Sequence, residues 1–490
     1  MTFTKRLRLE KTMSNARSYA EWSEAAIAHD SVTGAVNWKN ADESKSFDYV
    51  SIRKRLQRLS QLQKVNDNAG LLFALNEGIH GNMDGIGNEH LYRKAKFGTK
   101  ALIQKYTDTT TDSLNYLADP KVKDISFEEK LEFFRRAQHC YGHSALLLSG
   151  AGSFLYFHLG VAKALWEQGM LPNIMSGSSG GSVVGAMLCT HKDDEMERFF
   201  DPEFLAGISN SHDQADEGLF GRNKLPPAEY MREEISSIIP DLTFQEAYEL
   251  TGRQLNISVA PAERHQNSRL LNAIASPNVC IREAVCASCA VPGIYPPIAL
   301  AAKDDHGKRV PYLPNRKWAD GSITHDLPAK RLSRLYGVNH HIVSQANPLV
   351  TPFTSSITPQ RTYLSAIRNA SRVTMKAWIN ANATIMQRQL SRFPALNSMT
   401  NIALSVMNQS YTGDINIIRP TIFWSPAKMI SKLGQKDIKF LVELGERTTW
   451  PKIEMVRIQT KVSRALERIL VEYEHDLLHD PAHVMKKKIA

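Results

Sequence analysis

Residues 177–181 read Gly177-Ser178-Ser179-Gly180-Gly181, and this stretch decides how the rest of the chain is interpreted. It follows a short apolar run, Ile174-Met175, and precedes a run of small residues typical of a helix start, Ser182-Val183-Val184-Gly185-Ala186. A sharp strand-to-helix turn has room only for small residues two positions before and after its central serine. Glycines occupy both positions. The pattern predicts a nucleophile elbow with Ser179 as the candidate nucleophile, with an ordinary glycine-rich turn as the alternative.

A second glycine loop lies upstream. The run Ala145-Leu146-Leu147-Leu148 predicts a strand, Ser149-Gly150-Ala151-Gly152-Ser153 follows it, and apolar residues over 156–165 have helical spacing. Backbone N–H groups at such a loop attract negative charge, either a phosphate or the oxyanion of an acyl-transfer intermediate. The Gly-Lys-Ser/Thr ending of a nucleotide-binding loop and the third glycine of a dinucleotide loop are both missing. The loop therefore favours an oxyanion hole, with tight strand-to-helix packing as the structural alternative.

An acidic residue on a glycine turn completes the set, at Trp318-Ala319-Asp320-Gly321-Ser322. A glycine-rich loop, a Gly-x-Ser-x-Gly elbow and an Asp-Gly turn, in this order, resemble the patatin-like lipid acyl hydrolases. The segment 287–297, Ala-Ser-Cys-Ala-Val-Pro-Gly-Ile-Tyr-Pro-Pro, is similar to the segment that this family carries between nucleophile and acid. The resemblance implies a Ser179–Asp320 dyad that works without histidine, and an oxyanion hole at Gly150, Ala151 and Gly152.

Further segments resemble the intracellular triacylglycerol lipase branch of that family. They include 343–348, 411–415 and 445–451, together with several stretches before residue 100. Some positions depart from the family pattern, among them the two that follow. The loop has Ala151 where a run of three glycines is common, and Ser322 stands where the family has a second glycine. Neither change removes a catalytic group, because an alanine still offers its N–H.

The resemblance and the periodicity together predict an α/β fold, with a patatin-like three-layer α/β/α catalytic domain and helical additions at both ends. We expect an N-terminal helical region at 1–143, the catalytic domain at 144–350 and a mainly helical C-terminal region at 351–490. Within the last region, residues 363–390 have helical spacing of apolar residues. That helix either packs on the catalytic domain or contacts lipid.

Composition limits the classes of partner. The 490 residues are 42% hydrophobic and 22% charged, as in an ordinary globular protein, and the net charge is +10. A mild positive charge suits a phospholipid surface, and we expect peripheral association with a membrane or lipid-droplet surface rather than nucleic-acid binding. No signal peptide or transmembrane segment is recognised, so we expect an intracellular, cytoplasmic protein. Five cysteines suggest free thiols in a reducing compartment, and no metal or organic cofactor is expected.

The expected function is therefore hydrolysis of fatty-acyl esters of triacylglycerol or glycerophospholipid by a serine nucleophile. Two alternatives stay open. A transacylase or acyltransferase would pass the acyl group from Ser179 to a lipid alcohol instead of water. A lipid-binding protein with a decayed site would have the fold without the activity, although all the catalytic residue types are present. The sequence does not show how an acceptor reaches the site, so it does not separate hydrolysis from transfer.

Overall fold

The computed structural model describes residues 2–210, 228–263, 268–292, 294–322, 326–347, 413–420 and 433–479. The chain forms two compact units. The first comprises residues 1–144, 336–340 and 450–490, and the second comprises 145–335 and 341–449. The candidate site lies in the second unit.

The first unit is mainly helical where it is described. Its elements in chain order are α1 (Thr2–Asn15), α2 (Tyr19–Thr33), α3 (Ala35–Asn40), α4 (Tyr49–Lys64), α5 (Asn68–Gly78), short 3-10 turns at Met83–Gly85 and Glu89–Tyr92, α6 (Ala101–Ala118) and α7 (Phe127–Tyr141). The later residues of the long helix α16 (Gln435–His479) also belong to this unit. Side-chain caps explain several helix starts, because an exposed N–H of the first turn needs an acceptor. Ser18, Asp48, Asp67 and Ser126 supply one for α2, α4, α5 and α7.

Apolar stripes on these helices meet in one core. Ile52, Leu71, Leu114 and Phe133 are among its fully buried members, and Leu466 joins them from α16. Helical spacing of apolar residues between residues 15 and 140 predicts the helices themselves. The outcome is an independent hydrophobic core in the first unit.

The second unit is built on a mixed sheet. Its strands are β1 (His143–Leu148), β2 (Ile174–Gly177), β3 (Gln254–Pro261), β4 (Arg269–Leu271), β7 (Trp318–Asp320), β8 (Val338–Gln345) and β9 (Ile415–Ile418). Their order is β4-β3-β2-β1-β8-β9, with β7 also paired to β3. Strands β1, β2 and β3 are parallel, as are β8 and β9, whereas β4 and β7 run antiparallel to β3. A separate hairpin joins β5 (Leu300–Lys303) to β6 (Arg309–Tyr312).

Helices flank this sheet. They are α8 (Leu155–Trp166), α9 (Gly180–Thr190), α10 (Met196–Phe199), α11 (Pro202–Asn210), α12 (Ala228–Ile238), α13 (Phe244–Thr251), α14 (Ile281–Cys289) and α15 (Ala329–Tyr336), with 3-10 turns at Gly152–Phe154 and Asp193–Glu195. Helix α9 packs on β2 and β3, and α14 packs on β3 and β7. Because helices cover the sheet, the central strands are buried, which explains their continuous apolar runs.

Strand register positions the candidate residues. Leu148 pairs with Gly177 across β1 and β2, so the glycine loop and the serine elbow leave neighbouring strands at the same edge. Val259 of β3 pairs with Asp320 of β7, which places the acid beside the strand next to β2. Residues separated widely in sequence thus meet at one edge of the sheet.

The α/β fold class predicted from the sequence is confirmed, as is the strand, loop and helix interpretation of residues 145–166. Within the described part of the chain, no helix has the length and apolar character needed to span a bilayer. The helix predicted over residues 363–390 lies outside the described residues. The three-part division at 143/144 and 350/351 stays a prediction about the organisation of the chain.

Candidate active site

Ser179 lies at the turn between β2 and α9. Its backbone has φ 50° and ψ −128°, a conformation that side chains rarely adopt. A Cβ added to Gly177 would lie 2.3 Å from the Gly181 carbonyl oxygen, and one added to Gly181 would lie 2.4 Å from the Leu148 carbonyl oxygen. Only glycine fits at either position. This is the geometry expected of a nucleophile elbow, with a strained serine directly before the first turn of a helix.

A buried serine, Ser288, stabilises the elbow through hydrogen bonds. The Ser179 N–H donates to Ser288 Oγ at 2.9 Å, and the Ser288 hydroxyl donates to the Ser258 carbonyl oxygen at 2.8 Å. Ser288 lies on α14 with no surface exposed. Because both bonds are buried, losing the hydroxyl would leave the Ser179 N–H without an acceptor. Ser288 therefore stabilises the strained backbone at Ser179.

Asp320 ends β7, the strand that pairs with β3, and has 2% of its surface exposed. The Ser322 N–H donates to its Oδ1 at 2.8 Å. Burial raises the pKa of the Asp320 carboxyl to about 6, although hydrogen bonds from Ser322 and from the Ser179 hydroxyl oppose the rise. The structure thus brings the two predicted dyad residues together. A carboxylate with this pKa is a stronger base than an exposed one and is ionised at neutral pH.

The glycine loop offers two backbone donors rather than three. The Gly150 N–H already donates to Asp326 Oδ1 at 2.7 Å, so it cannot serve an oxyanion as the sequence interpretation expected. Within the described ranges, the N–H groups of Ala151 and Gly152 have no acceptor. A Cβ added to Gly180 would lie 3.1 Å from the Gly152 nitrogen, which shows how closely the loop approaches the elbow. Ala151 and Gly152 therefore fit the oxyanion hole best.

Asp326 is a second buried carboxyl at the site, and the sequence interpretation missed it. Besides the Gly150 N–H, it accepts a short hydrogen bond from the Ser178 hydroxyl. Burial raises the pKa of Asp326 to about 7, with a smaller contribution from the charge of Asp320. Asp326 thus connects the first residue of the glycine loop to the residue before the nucleophile. The only local signal was its position six residues after Asp320.

His158 is a neutral side chain that contacts the glycine loop. Its Nε2 lies 3.0 Å from the Ser149 carbonyl oxygen and its Nδ1 lies 2.6 Å from Ser344 Oγ. Burial lowers the pKa of the imidazole to about 4. Since a carbonyl only accepts, Nε2 carries the proton and Nδ1 accepts from the Ser344 hydroxyl. The histidine is therefore committed to the loop and β8.

Four of the cysteines are poor competing nucleophiles. All five cysteines are free. Burial raises the pKa of the Cys189 and Cys286 thiols to about 12 and that of Cys280 to about 11, and it raises the Cys289 pKa as well. These four thiols stay protonated at neutral pH, and the protonated thiol is not the reactive form.

Comparisons with known proteins agree with this geometry. Residues 146–332 match the patatin-like phospholipase family, and residues 1–139 match a domain of unknown function, DUF3336. A patatin-like phospholipase domain-containing protein of Neosartorya fischeri is 31% identical over 496 residues, covering 94% of this chain and 68% of that protein. The chain belongs to the patatin-like phospholipase family.

Two other relatives extend further beyond the matched region. A patatin-like phospholipase domain-containing protein of Cryptococcus neoformans is 33% identical over 492 residues, covering 96% of this chain and 56% of that protein. A protein of Arabidopsis thaliana named triacylglycerol lipase is 32% identical over 484 residues, covering 94% of this chain and 58% of that protein. The chain thus spans a little over half the length of these two relatives.

Proposed function

We propose that this patatin-like protein is a serine lipid acyl hydrolase that uses Ser179 as nucleophile and Asp320 as base. One observation carries the proposal: a serine held in a strained elbow has its hydroxyl close enough to a buried carboxyl to oppose the rise that burial causes in the pKa of that carboxyl. A serine needs an adjacent base to become nucleophilic at neutral pH. Asp320 is the group that supplies it.

The reaction follows from these positions. Ser179 Oγ attacks the ester carbonyl carbon while its proton passes to Asp320. The Ala151 and Gly152 N–H groups and the first turn of α9 stabilise the oxyanion, at about 3 kcal/mol for one good donor. The proton on Asp320 then passes to the departing alcohol, which leaves an acyl group on Ser179. Water attacks the acyl-enzyme while its proton passes to Asp320; the bond to Ser179 Oγ then breaks, Ser179 Oγ takes that proton back from Asp320, and the fatty acid is released.

We propose triacylglycerol as the first substrate to test and glycerophospholipid as the second. The relative named triacylglycerol lipase supports the first choice, and the family name supports the second. Both are esters presented at a lipid surface, so we propose that the protein acts there by peripheral association. Transfer of the acyl group to a lipid alcohol uses the same acyl-enzyme and differs only in the acceptor.

The test is fatty-acid release by the full chain from triolein emulsion and from phosphatidylcholine vesicles with and without phosphatidylglycerol. Ser179→Ala removes the nucleophile, and Ser237→Ala, an exposed serine on α12, serves as the matched control. We expect release by wild type and Ser237→Ala and none by Ser179→Ala. Release from triolein identifies a lipase, and release from vesicles alone identifies a phospholipase. Unchanged release by Ser179→Ala would contradict the proposal.

A further inference from the structure

A cleft of about 390 Å³ lies between β4 and α15, and Ser179 is not among the residues that line it. Three arginines line it, Arg269 from β4 and Arg331 and Arg334 from α15. Its remaining lining residues are serine, alanine and leucine. Among the described residues no carboxylate lines the cleft, and none of its lining residues belongs to the candidate active site. Three cations therefore share one concave surface with apolar neighbours.

These arginines differ from others of the same unit in their lack of an acidic partner. Within the part of the chain that the structure describes, none of the three forms an ion pair with Asp or Glu. By contrast, Arg253 lies 2.5 Å from Asp193 and Arg309 contacts Glu283. Arg331 is half-buried, whereas Arg269 and Arg334 are exposed. Burial lowers the pKa of Arg331. Among the described residues, the positive charge of the cleft is thus not balanced by a neighbouring carboxylate.

Two contacts hold the guanidinium groups in place. Arg331 donates to Ser268 Oγ at 3.2 Å. The guanidinium of Arg269 lies 5.5 Å from the centroid of the Trp318 ring, and Trp318 is fully buried at the start of β7. Stacking on an aromatic face and a hydrogen bond to a neighbour both restrict an arginine side chain. Two of the three cations are therefore pre-positioned, which lowers the entropic cost of binding an anion.

We propose that this cleft binds a phosphate group, carried by the headgroup of an anionic glycerolipid or by a soluble phosphate ester. Guanidinium groups match phosphate oxygens with paired N–H donors, and several converging on one anion give strong binding. Leu270 and Leu335 beside them offer apolar contact to the glycerol or alkyl part that such a phosphate carries. The site goes beyond the proposed hydrolase activity and does not depend on it.

The test measures binding by the full chain of glycerol 3-phosphate in calorimetry and of vesicles in sedimentation. The vesicles are phosphatidylcholine with and without phosphatidic acid. Arg331→Gln removes one cation from the cleft, and Arg334→Gln provides a second variant at a more exposed position. Arg198→Gln is the control, because it removes an equal charge from a half-exposed arginine that pairs with Glu195 outside the cleft.

We expect wild type and Arg198→Gln to bind glycerol 3-phosphate, and each cleft variant to bind it about tenfold more weakly or worse. If binding to phosphatidic acid vesicles weakens in the same two variants, the phosphate comes from a lipid headgroup. If only glycerol 3-phosphate binding weakens, it comes from a soluble ester. The proposal is overturned if wild type binds neither probe, or if the cleft variants weaken binding no more than Arg198→Gln does.

Discussion

Asp30 in the first unit and Asp320 in the second are buried alike, with 1% and 2% of their surfaces exposed. Asp30 lies 2.7 Å from Lys39 Nζ and accepts hydrogen bonds from the backbone N–H groups of Lys96 and Phe97. Asp320 accepts a hydrogen bond from the Ser322 N–H and lies close to the Ser179 hydroxyl, but it has no cation beside it among the described residues. Equal burial therefore comes with opposite electrostatic environments.

We interpret the difference as that between a structural carboxylate, Asp30, and the proposed catalytic base, Asp320. A buried charge with a cation and N–H donors is compensated, and it links the segments that hold them. A buried carboxyl without a cation is penalised in its charged form, so its pKa rises and it becomes a useful base. The second arrangement costs stability, which is a common property of active sites. The same substitution at the two positions should then have opposite effects.

The largest expected effect is on activity. Asp320→Asn cannot accept the Ser179 proton, and we expect kcat to fall about a thousandfold, the usual contribution of a general base. Asp30→Asn should keep wild-type kcat in its folded fraction. Initial rates on a soluble short-chain ester measure both. A kcat for Asp320→Asn within tenfold of wild type would show that another group accepts the proton.

The next effect is on stability. Asp30→Asn leaves Lys39 without its partner and turns an amide N–H toward the backbone N–H groups of Lys96 or Phe97. We expect a loss of about 3 kcal/mol in the free energy of unfolding, as for other broken buried pairs. Urea denaturation followed by circular dichroism measures it, with Asp108→Asn, at an exposed pair with Lys461, as the control. If Asp30→Asn and Asp108→Asn lose equal free energy of unfolding, the buried pair of Asp30 contributes no more stability than an exposed one, which contradicts the prediction.

Asp326 is a third buried carboxyl, and it differs from Asp320 because it positions other groups. Asp326→Ala leaves the Gly150 N–H and the Ser178 hydroxyl without an acceptor, so the glycine loop and the elbow lose a shared anchor. We expect kcat to fall about thirtyfold with little change in KM. Asp326→Asn keeps an acceptor oxygen and should restore most of the rate. If the two variants are equally slow, the charge of Asp326 matters rather than its hydrogen bonds.

The smallest expected effect is a pH-dependent stability. The pKa of Asp320 is about 6 in the folded state against about 3.9 for an unfolded chain. The folded state therefore holds more protons between these values, and this group makes stability fall as pH rises from about 4 to about 6. Asp320→Asn should remove that fall and therefore raise stability at neutral pH. Thermal unfolding at several pH values measures it. A melting temperature for Asp320→Asn below that of wild type at neutral pH would contradict this prediction.

The sequence predicts those parts of the site whose conformation depends on residues close together in the chain. The elbow at Ser179 needs small residues at fixed offsets, and the loop before α8 needs glycine, so both are visible in a short stretch. The roles of Ser288 and Asp326 depend on contacts with residues more than 100 positions away. The loss of Gly150 as an oxyanion donor follows from one of those contacts. The arginine-lined cleft joins residues 269 and 331, which strand pairing and helix packing bring together.

In the proposed mechanism, a buried Asp320 without a neighbouring cation activates Ser179. A fluorophosphonate that forms a covalent bond with activated serines tests it directly, with the adduct located by mass spectrometry and its rate followed against pH. We expect the adduct on Ser179, a rate that rises through a midpoint near pH 6, and almost no labelling in Asp320→Asn. Labelling at another serine, or a rate on Ser179 that neither pH nor Asp320→Asn changes, would contradict the claim.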